Sequence, residues 1–351
     1  MLYPEQNDFR HLLDLSGLWD FQADPNHAGL EDEWFTGVRT PGPIAVPGSW
    51  TDQHPDLSAY FGEAWYVRRA YVPAGWQSER VFLRFGAVSA PLTLYLTGIE
   101  VGAHPGGYLP FAIEVGSHLQ WGRENLIAVR MASAAAPTGE SPSAGLLGPV
   151  MLCTVPQTHI EDVTVVTGRA DNLHKVNGTV EISARLNQPI DCLATITLGL
   201  DQHALKTAMA FKGGVGKARI FVPSPQFWSP DEPHRYDLTI TTEFDRCALA
   251  IGIRTVEVSD GQVLLNGEPI ALTGFDFDGG WGFSLGQLVR LFGQMRAEGA
   301  NSLRVGTSPL SDHALQLADQ MGLMIVAELP SDPAQLAARH AHDKNHPSVI
   351  G

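Results

Sequence analysis

Ile270-Ala271-Leu272-Thr273-Gly274-Phe275, followed by Leu285-Gly286-Gln287-Leu288-Val289-Arg290-Leu291-Phe292-Gly293-Gln294-Met295-Arg296-Ala297, is where the chain changes its period. The first run is short and apolar, which predicts a strand. The second places Leu288, Leu291, Phe292 and Met295 at helical spacing. Ser302-Leu303-Arg304-Val305 reads as the next strand, and a helix is expected from Ser311-Asp312 through Leu315, Leu317 and Ala318. Leu323-Met324-Ile325-Val326-Ala327 repeats the strand pattern. Pro333 to His340 repeats the helical one, leading into Asn345-His346-Pro347-Ser348-Val349-Ile350-Gly351. Three alternations of strand and helix imply a parallel sheet of βα units.

Upstream of Ser259 the pattern is β throughout. Val163-Thr164-Val165-Val166, Thr179-Val180-Glu181-Ile182, Ala194-Thr195-Ile196-Thr197, Ala218-Arg219-Ile220-Phe221-Val222 and Tyr236-Asp237-Leu238-Thr239-Ile240 recur with turn signals between them. About seven such segments in a hundred residues is the signature of an immunoglobulin-like sandwich. Before Thr158, Phe82-Leu83-Arg84-Phe85, Leu92-Thr93-Leu94-Tyr95-Leu96 and Leu126-Ile127-Ala128-Val129-Arg130 are separated by Gly, Pro and Ser punctuation. No helical period exceeds two turns there, so a jelly-roll β-sandwich is expected.

Composition excludes several classes. The chain has 351 residues, enough for two or three domains, and 44% are hydrophobic against 17% charged, a globular balance. A formal net charge of −15 argues against nucleic acid or an anionic membrane as partner. Cys153, Cys192 and Cys247 are too few and scattered for a disulfide framework or zinc knuckle. The opening MLYPEQNDFRHLLDL shows no basic stretch before an apolar run, and nowhere do eighteen apolar residues follow one another. A cytoplasmic protein without a membrane span is the expectation.

LSGLWDF, IAVPGSW, WYVRRAYVPAGW, VFLRFGAV, GGYLPF, VMLCTVP and HIEDVTVVT resemble, in order, the sugar-binding domain of family 2 glycoside hydrolases, and its β-glucuronidases in particular. FWSPDEPHRYDLTI, GIRTVEV, LLNGEPIALTGF, EGANSLRVGTSP, LADQMGLMIVAE and HDKNHPSVI continue the likeness into the catalytic barrel. The resemblance implies a multidomain β plus α/β protein. Its expected parts are a jelly-roll over 1–157, an immunoglobulin-like sandwich over 158–257 and a partial TIM-barrel-like segment of three βα units over 258–351. A full (β/α)8 barrel takes about 250 residues, whereas Ser259 to Gly351 is 93.

The departures from the family pattern carry as much as the match. In the family, NHPSV runs on to a fourth barrel strand bearing the acid/base Glu, and the nucleophile Glu lies on a later strand. This sequence stops at Ile350-Gly351, so the resemblance implies a barrel cut short of both. The first barrel strand, which in the family ends Gly-(Asn/Arg)-(His/Lys)-Glu, here reads Gly274-Phe275-Asp276-Phe277-Asp278. The second keeps Arg304 of Arg-Thr-Ser-His-Tyr-Pro but lacks the His and Tyr, and the third keeps only Glu328 of Asp-Glu. A long loop that the sugar-binding domain sends toward the active site is replaced by the short Ala134 to Gly148 stretch. The carboxylate-recognising Asn-x-Lys element is not in this sequence.

Asp276 and Asp278 are the close carboxylates at a barrel strand end, two residues apart on one face and about 6.6 Å apart along the strand. Retaining glycosidases need carboxyl groups about 5–5.5 Å apart that flank the bond, so this pair suits one wall of a pocket, or simply a solvated strand end. Asp276, Asp278 and Glu328 are therefore the candidate catalytic residues. Arg304 and Glu328, at the mouths of adjacent strands, form either a ligand-orienting pair or a structural salt bridge. Phe277, Trp281 and Phe283 are candidates for an apolar ligand floor or for core. His340, His342 and His346 with Asp343 have metal-like spacing but fall on a family turn that carries no metal. Gly213-Gly214-Val215-Gly216-Lys217 reads as a hairpin turn, since no Ser/Thr or βα unit follows.

Three functions compete. One is a non-hydrolytic isomerase or cyclase acting on a mainly apolar small molecule in biosynthesis, another a non-catalytic carbohydrate- or partner-binding pseudoenzyme, and the third a fragment of a β-glucuronidase. No cofactor or metal is expected. Open strand edges and the apolar Met321, Met324, Ile325 and Val326 predict a homodimer through residues 258–351.

Overall fold

The computed structural model describes residues 2–133, 143–170, 176–199, 204–277 and 279–351. They divide into two compact units, Arg10–Gln157 and Met1–Phe9 with Thr158–Gly351. The sequence expectation had placed the first residues with the jelly-roll. Instead they join the second unit, where the Ala248 amide donates to Glu5 Oε1 at 3.1 Å and Asn7 Nδ2 to the Arg246 carbonyl at 3.1 Å.

Arg10–Gln157 is a sandwich of two antiparallel sheets. β1 (Leu12–Asp14), β10 (Val150–Val155), β5 (Arg80–Phe85) and β8 (Phe111–Glu114) lie in that order in one. The other runs β3 (Gly42–Val46), β2 (Gly17–Asp24), β4 (Glu63–Val72), β9 (Arg123–Ala132), β6 (Leu92–Leu96) and β7 (Ile99–His104). Successive side chains of a strand point to opposite faces, yet Trp65, Tyr66 and Val67 of β4 are all buried. Tyr66 enters the main core with Trp19, Trp50 and Phe85, while Trp65 and Val67 meet Trp34 and Tyr95 on the other side. Both faces of β4 are covered, so its sequence does not alternate. The short helix α1 (Trp50–Gln53) is capped by the Ser49 side chain.

The second unit begins with one seven-stranded antiparallel sheet. Its order is β11 (Ile160–Arg169), β12 (Asn177–Leu186), β15 (Val215–Pro223), β14 (Leu205–Lys212), β13 (Cys192–Leu198), β16 (Tyr236–Thr241) and β17 (Arg246–Ile251). In β12 the period of two is clean: Val180, Ile182, Ala184 and Leu186 are buried in its core. Gly213 and Gly214, with φ of 56° and 80°, make the two-residue turn between β14 and β15. Positive φ at both positions is what such a hairpin requires.

A small sheet, β18 (Val256–Ser259), β19 (Gln262–Leu265) and β20 (Glu268–Pro269), leads to the parallel strands β21 (Gly274–Phe277), β22 (Ser302–Val305) and β23 (Met324–Ala327). The expected strand Ile270–Phe275 is shifted: pairing starts at Gly274, whose Cβ would lie 1.8 Å from the Ser302 carbonyl oxygen. Only glycine permits that approach. The helices follow the sequence reading closely. α2 (Leu285–Ala297) opens with a Ser284–Gln287 capping box, and α3 (Asp312–Met321) is capped by Ser311. α4 (Pro333–Asp343) runs past the expected His340, and the Arg339–Asp343 pair spans its last turn. Leu288, Phe292, Leu315 and Ala318 pack on Leu303, Val305 and Ile325 to form a third core. No helix among the described residues is long and apolar enough to cross a membrane.

The outer edge of β23 is not open. Ser348–Gly351 runs alongside it: the Ile325 amide donates to Ser348 O at 2.7 Å, Ile350 N to Ile325 O at 3.0 Å and Ala327 N to Gly351 O at 2.6 Å. Met324 and Ile325 are fully buried, Met324 against Trp228 and Leu265. Of the apolar residues expected to drive dimerisation, Met324 and Ile325 are thus covered by the chain itself, while Met321 and Val326 are half-buried. β21 remains an edge strand of the sheet, with Phe275 39% exposed.

Trp228 connects the seven-stranded sheet to the parallel one, its indole donating to the Asp319 carbonyl at 2.9 Å. Trp228→Ala should destabilise this unit by about 3–5 kcal/mol. Urea unfolding followed by probes in each unit checks this: the Thr158–Gly351 transition should move to lower urea while that of Arg10–Gln157 stays in place.

Candidate functional site

In a parallel sheet built from βα units, the carboxyl ends of the strands are where loops and helix N-termini converge. Asp276 and Arg304 are register partners on β21 and β22, and Glu328 directly follows β23. The Arg304 Nη2 group donates to Glu328 Oε1 at 2.8 Å, and Nη1 lies 3.9 Å from Asp276 Oδ1. The sequence-selected Asp276, Arg304 and Glu328 therefore come together. Their side chains are 84%, 66% and 52% exposed. The hydrogen bond to Glu328, and then the charge of Asp276, push the Arg304 pKa up. Asp278 lies outside the described residues, as do residues 134–142 of the short loop.

The proposed apolar floor does not assemble. Phe277 points to the face opposite Asp276, as strand alternation demands. It is only 7% exposed and meets Phe292 edge-on at 5.2 Å, so it is core. Trp281 is half-buried, its indole Nε1 donating to Pro309 O at 3.0 Å. Phe283 is exposed beside the Ser284 cap. One ring is structural, one is anchored to a loop and one faces water.

The histidines do not converge on a metal position either. His340 is exposed. His342 is held between Asp343 Oδ1 at 2.6 Å and Asp312 Oδ1 at 3.1 Å, and Asp343 also accepts from Arg339 Nε at 2.5 Å. His346 Nδ1 meets Asp319 Oδ2 at 2.6 Å, and the other oxygen of Asp319 accepts from Ser348 N and Oγ at 3.0 and 2.6 Å. Sequence reasoning missed Asp312 and Asp319 as partners. Asp319 sits among the apolar residues of α3 and is 3% exposed; a carboxylate in so apolar a helical face was the available signal.

The three parts of the chain each match a model of one family. "Glycosyl hydrolases family 2, sugar binding domain" covers residues 12–136, "Glycosyl hydrolases family 2" 158–254 and "Glycosyl hydrolases family 2, TIM barrel domain" 256–341. The chain belongs to glycosyl hydrolases family 2. It is 28% identical to the β-glucuronidase of Canis lupus familiaris over all of its own length and 64% of that protein. It is 29% identical to that of Paenibacillus borealis, of which it covers 68%. The Ruminococcus gnavus β-glucuronidase structure in complex with D-glucuronic acid superimposes with a TM-score of 0.85 at 26% identity, over 99% of this chain and 67% of that one. The chain thus spans about two thirds of the length of these relatives.

The His342 cluster gives a pH dependence. Burial alone would lower the imidazole pKa, but the hydrogen bonds and charges of Asp312 and Asp343 outweigh it and raise the value to about 9. Folding therefore favours the protonated ring. The stability it contributes is complete below the ordinary value of 6.5 and is lost as pH rises through about 9. His342→Gln should cost on the order of 2 kcal/mol at pH 6 and far less at pH 10. Urea denaturation at both values checks this; an equal penalty at each would contradict it.

Proposed function

We propose that Arg304, Glu328 and Asp276 form a recognition wall that orients a polar, sugar-like ligand, and that this chain does not itself cleave glycosidic bonds. The observation that supports the reading is the joining of one guanidinium and two carboxylates at the carboxyl ends of three parallel strands, with their polar atoms open to solvent. A guanidinium offers several in-plane donors and a carboxylate is an acceptor, the complement of a sugar's hydroxyl and carboxylate groups.

Acid/base work asks for more. A general acid in a glycosidase needs an environment that keeps its proton near neutral pH, usually burial away from compensating cations. Glu328 is half-exposed and already accepts from Arg304, and Asp276 is almost wholly in water. Neither has the surroundings of a general acid. In a longer β-glucuronidase-like protein the same wall would hold the sugar while carboxylates elsewhere cleave it. An isomerase or cyclase acting on an apolar molecule draws less support, because Phe277 belongs to the core and Phe283 to the surface.

Two measurements test the proposal. A chromogenic β-glucuronide incubated with the purified chain should release no more product than buffer. In ligand-observed NMR, D-glucuronic acid should show saturation transfer from the wild type and little or none from a folded Arg304→Ala variant. Turnover above the blank, or transfer unchanged in that variant, would overturn it.

A further inference from the structure

A cavity of about 210 Å³ lies within the Thr158–Gly351 unit, between β11 and the C-terminal segment. Val166 and Thr167 of β11, Gly252, Arg254, Lys344 and His346 are among the residues that line it. Three are basic, in a chain whose formal net charge is −15.

The hydrogen bonds of these cations are asymmetric. Lys344 Nζ is satisfied by Asp162 Oδ1 and Oδ2 at 2.7 and 2.9 Å and by Thr164 Oγ1 at 2.8 Å. His346 is held by Asp319. Arg254 has no carboxylate hydrogen bond among the described residues. Its Nε donates to the Pro347 carbonyl and its Nη2 to the Val349 carbonyl at 2.5 Å, while Nη1 has no partner among the described residues. The carboxylates of Asp162, Asp319 and Asp343 act on these cations, and the Nη1 edge of Arg254 is left without a hydrogen bond among the described residues. Burial pulls the Arg254 pKa down to about 10, against the opposing charge of Asp319.

We propose that this cavity binds a small tetrahedral oxyanion, inorganic phosphate or sulfate, on the free edge of Arg254. The anion accepts from Nη1, a charge-assisted hydrogen bond. Arg254 also holds the carbonyls of Pro347 and Val349, so the bound anion fastens the segment that closes the β23 edge. The inference stands apart from the recognition wall at Arg304, which lies on other strands.

Thermal unfolding of the full chain in a phosphate-free buffer tests it, with phosphate, sulfate and chloride compared at equal ionic strength. Phosphate and sulfate should raise Tm along a saturating curve and chloride should not. These anions also stabilise proteins without a site, by exclusion from the surface. Val166→Glu, at a position 59% exposed and on the cavity wall, places a carboxylate where the anion sits. That variant should stay folded and lose the saturating component, and calorimetric titration with phosphate should show heat for the wild type alone. Arg254→Gln should do the same where it folds. A non-saturating rise in the wild type, or an equal response in Val166→Glu, would overturn the assignment.

Discussion

Asp319 is the constraint on which the second unit depends. The residue is 3% exposed, and a buried carboxylate is costly unless its oxygens are satisfied. One oxygen takes His346 and the other takes the amide and hydroxyl of Ser348. Its backbone carbonyl takes the indole of Trp228. A single residue of α3 therefore fixes the C-terminal segment on one side and the loop between β15 and β16 of the seven-stranded sheet on the other. Replacing any of these partners would strand a polar group in the core, so the set holds together as a unit.

That anchoring decides which surfaces remain for ligands. With Ser348–Gly351 hydrogen-bonded along β23, the apolar strand is no longer an edge, and Met324 is sealed by Trp228 and Leu265. One face of the parallel sheet is filled by α2 and α3. The opposite face, toward the strands' carboxyl ends, keeps Asp276, Arg304 and Glu328 in water. The ion pair is exposed and by itself adds little stability, which leaves its polar atoms available for recognition. Arg254 and Lys344 meanwhile join the segment to the other sheet through carbonyls and Asp162.

The architecture was largely legible in the sequence because hydrophobic period carries it. β12 shows period two in Val180, Ile182 and Ala184, and α2 shows helical spacing in Leu288, Phe292 and Met295. The first parallel strand was misplaced because its start depends on the close contact of Gly274 with Ser302, a tertiary fact. The site was legible in part. Arg304 and Glu328 could be paired because adjacent parallel strands bring their ends together. The aromatic floor failed because Phe277 and Asp276 are neighbours on one strand and must face opposite ways, so one of them had to be core. The histidine–carboxylate clusters were hidden because their partners, Asp312 and Asp319, lie on a different helix.

The most direct test of the Asp319 anchor is amide hydrogen exchange of the wild type and Asp319→Asn, read residue by residue. The amides of Ile325, Ala327 and Ile350, which bond across to or from the C-terminal segment, should lose protection in the variant. Those of β12, which is paired on both sides within the seven-stranded sheet, should exchange as before. Unchanged protection at Ile325, Ala327 and Ile350 would contradict the account.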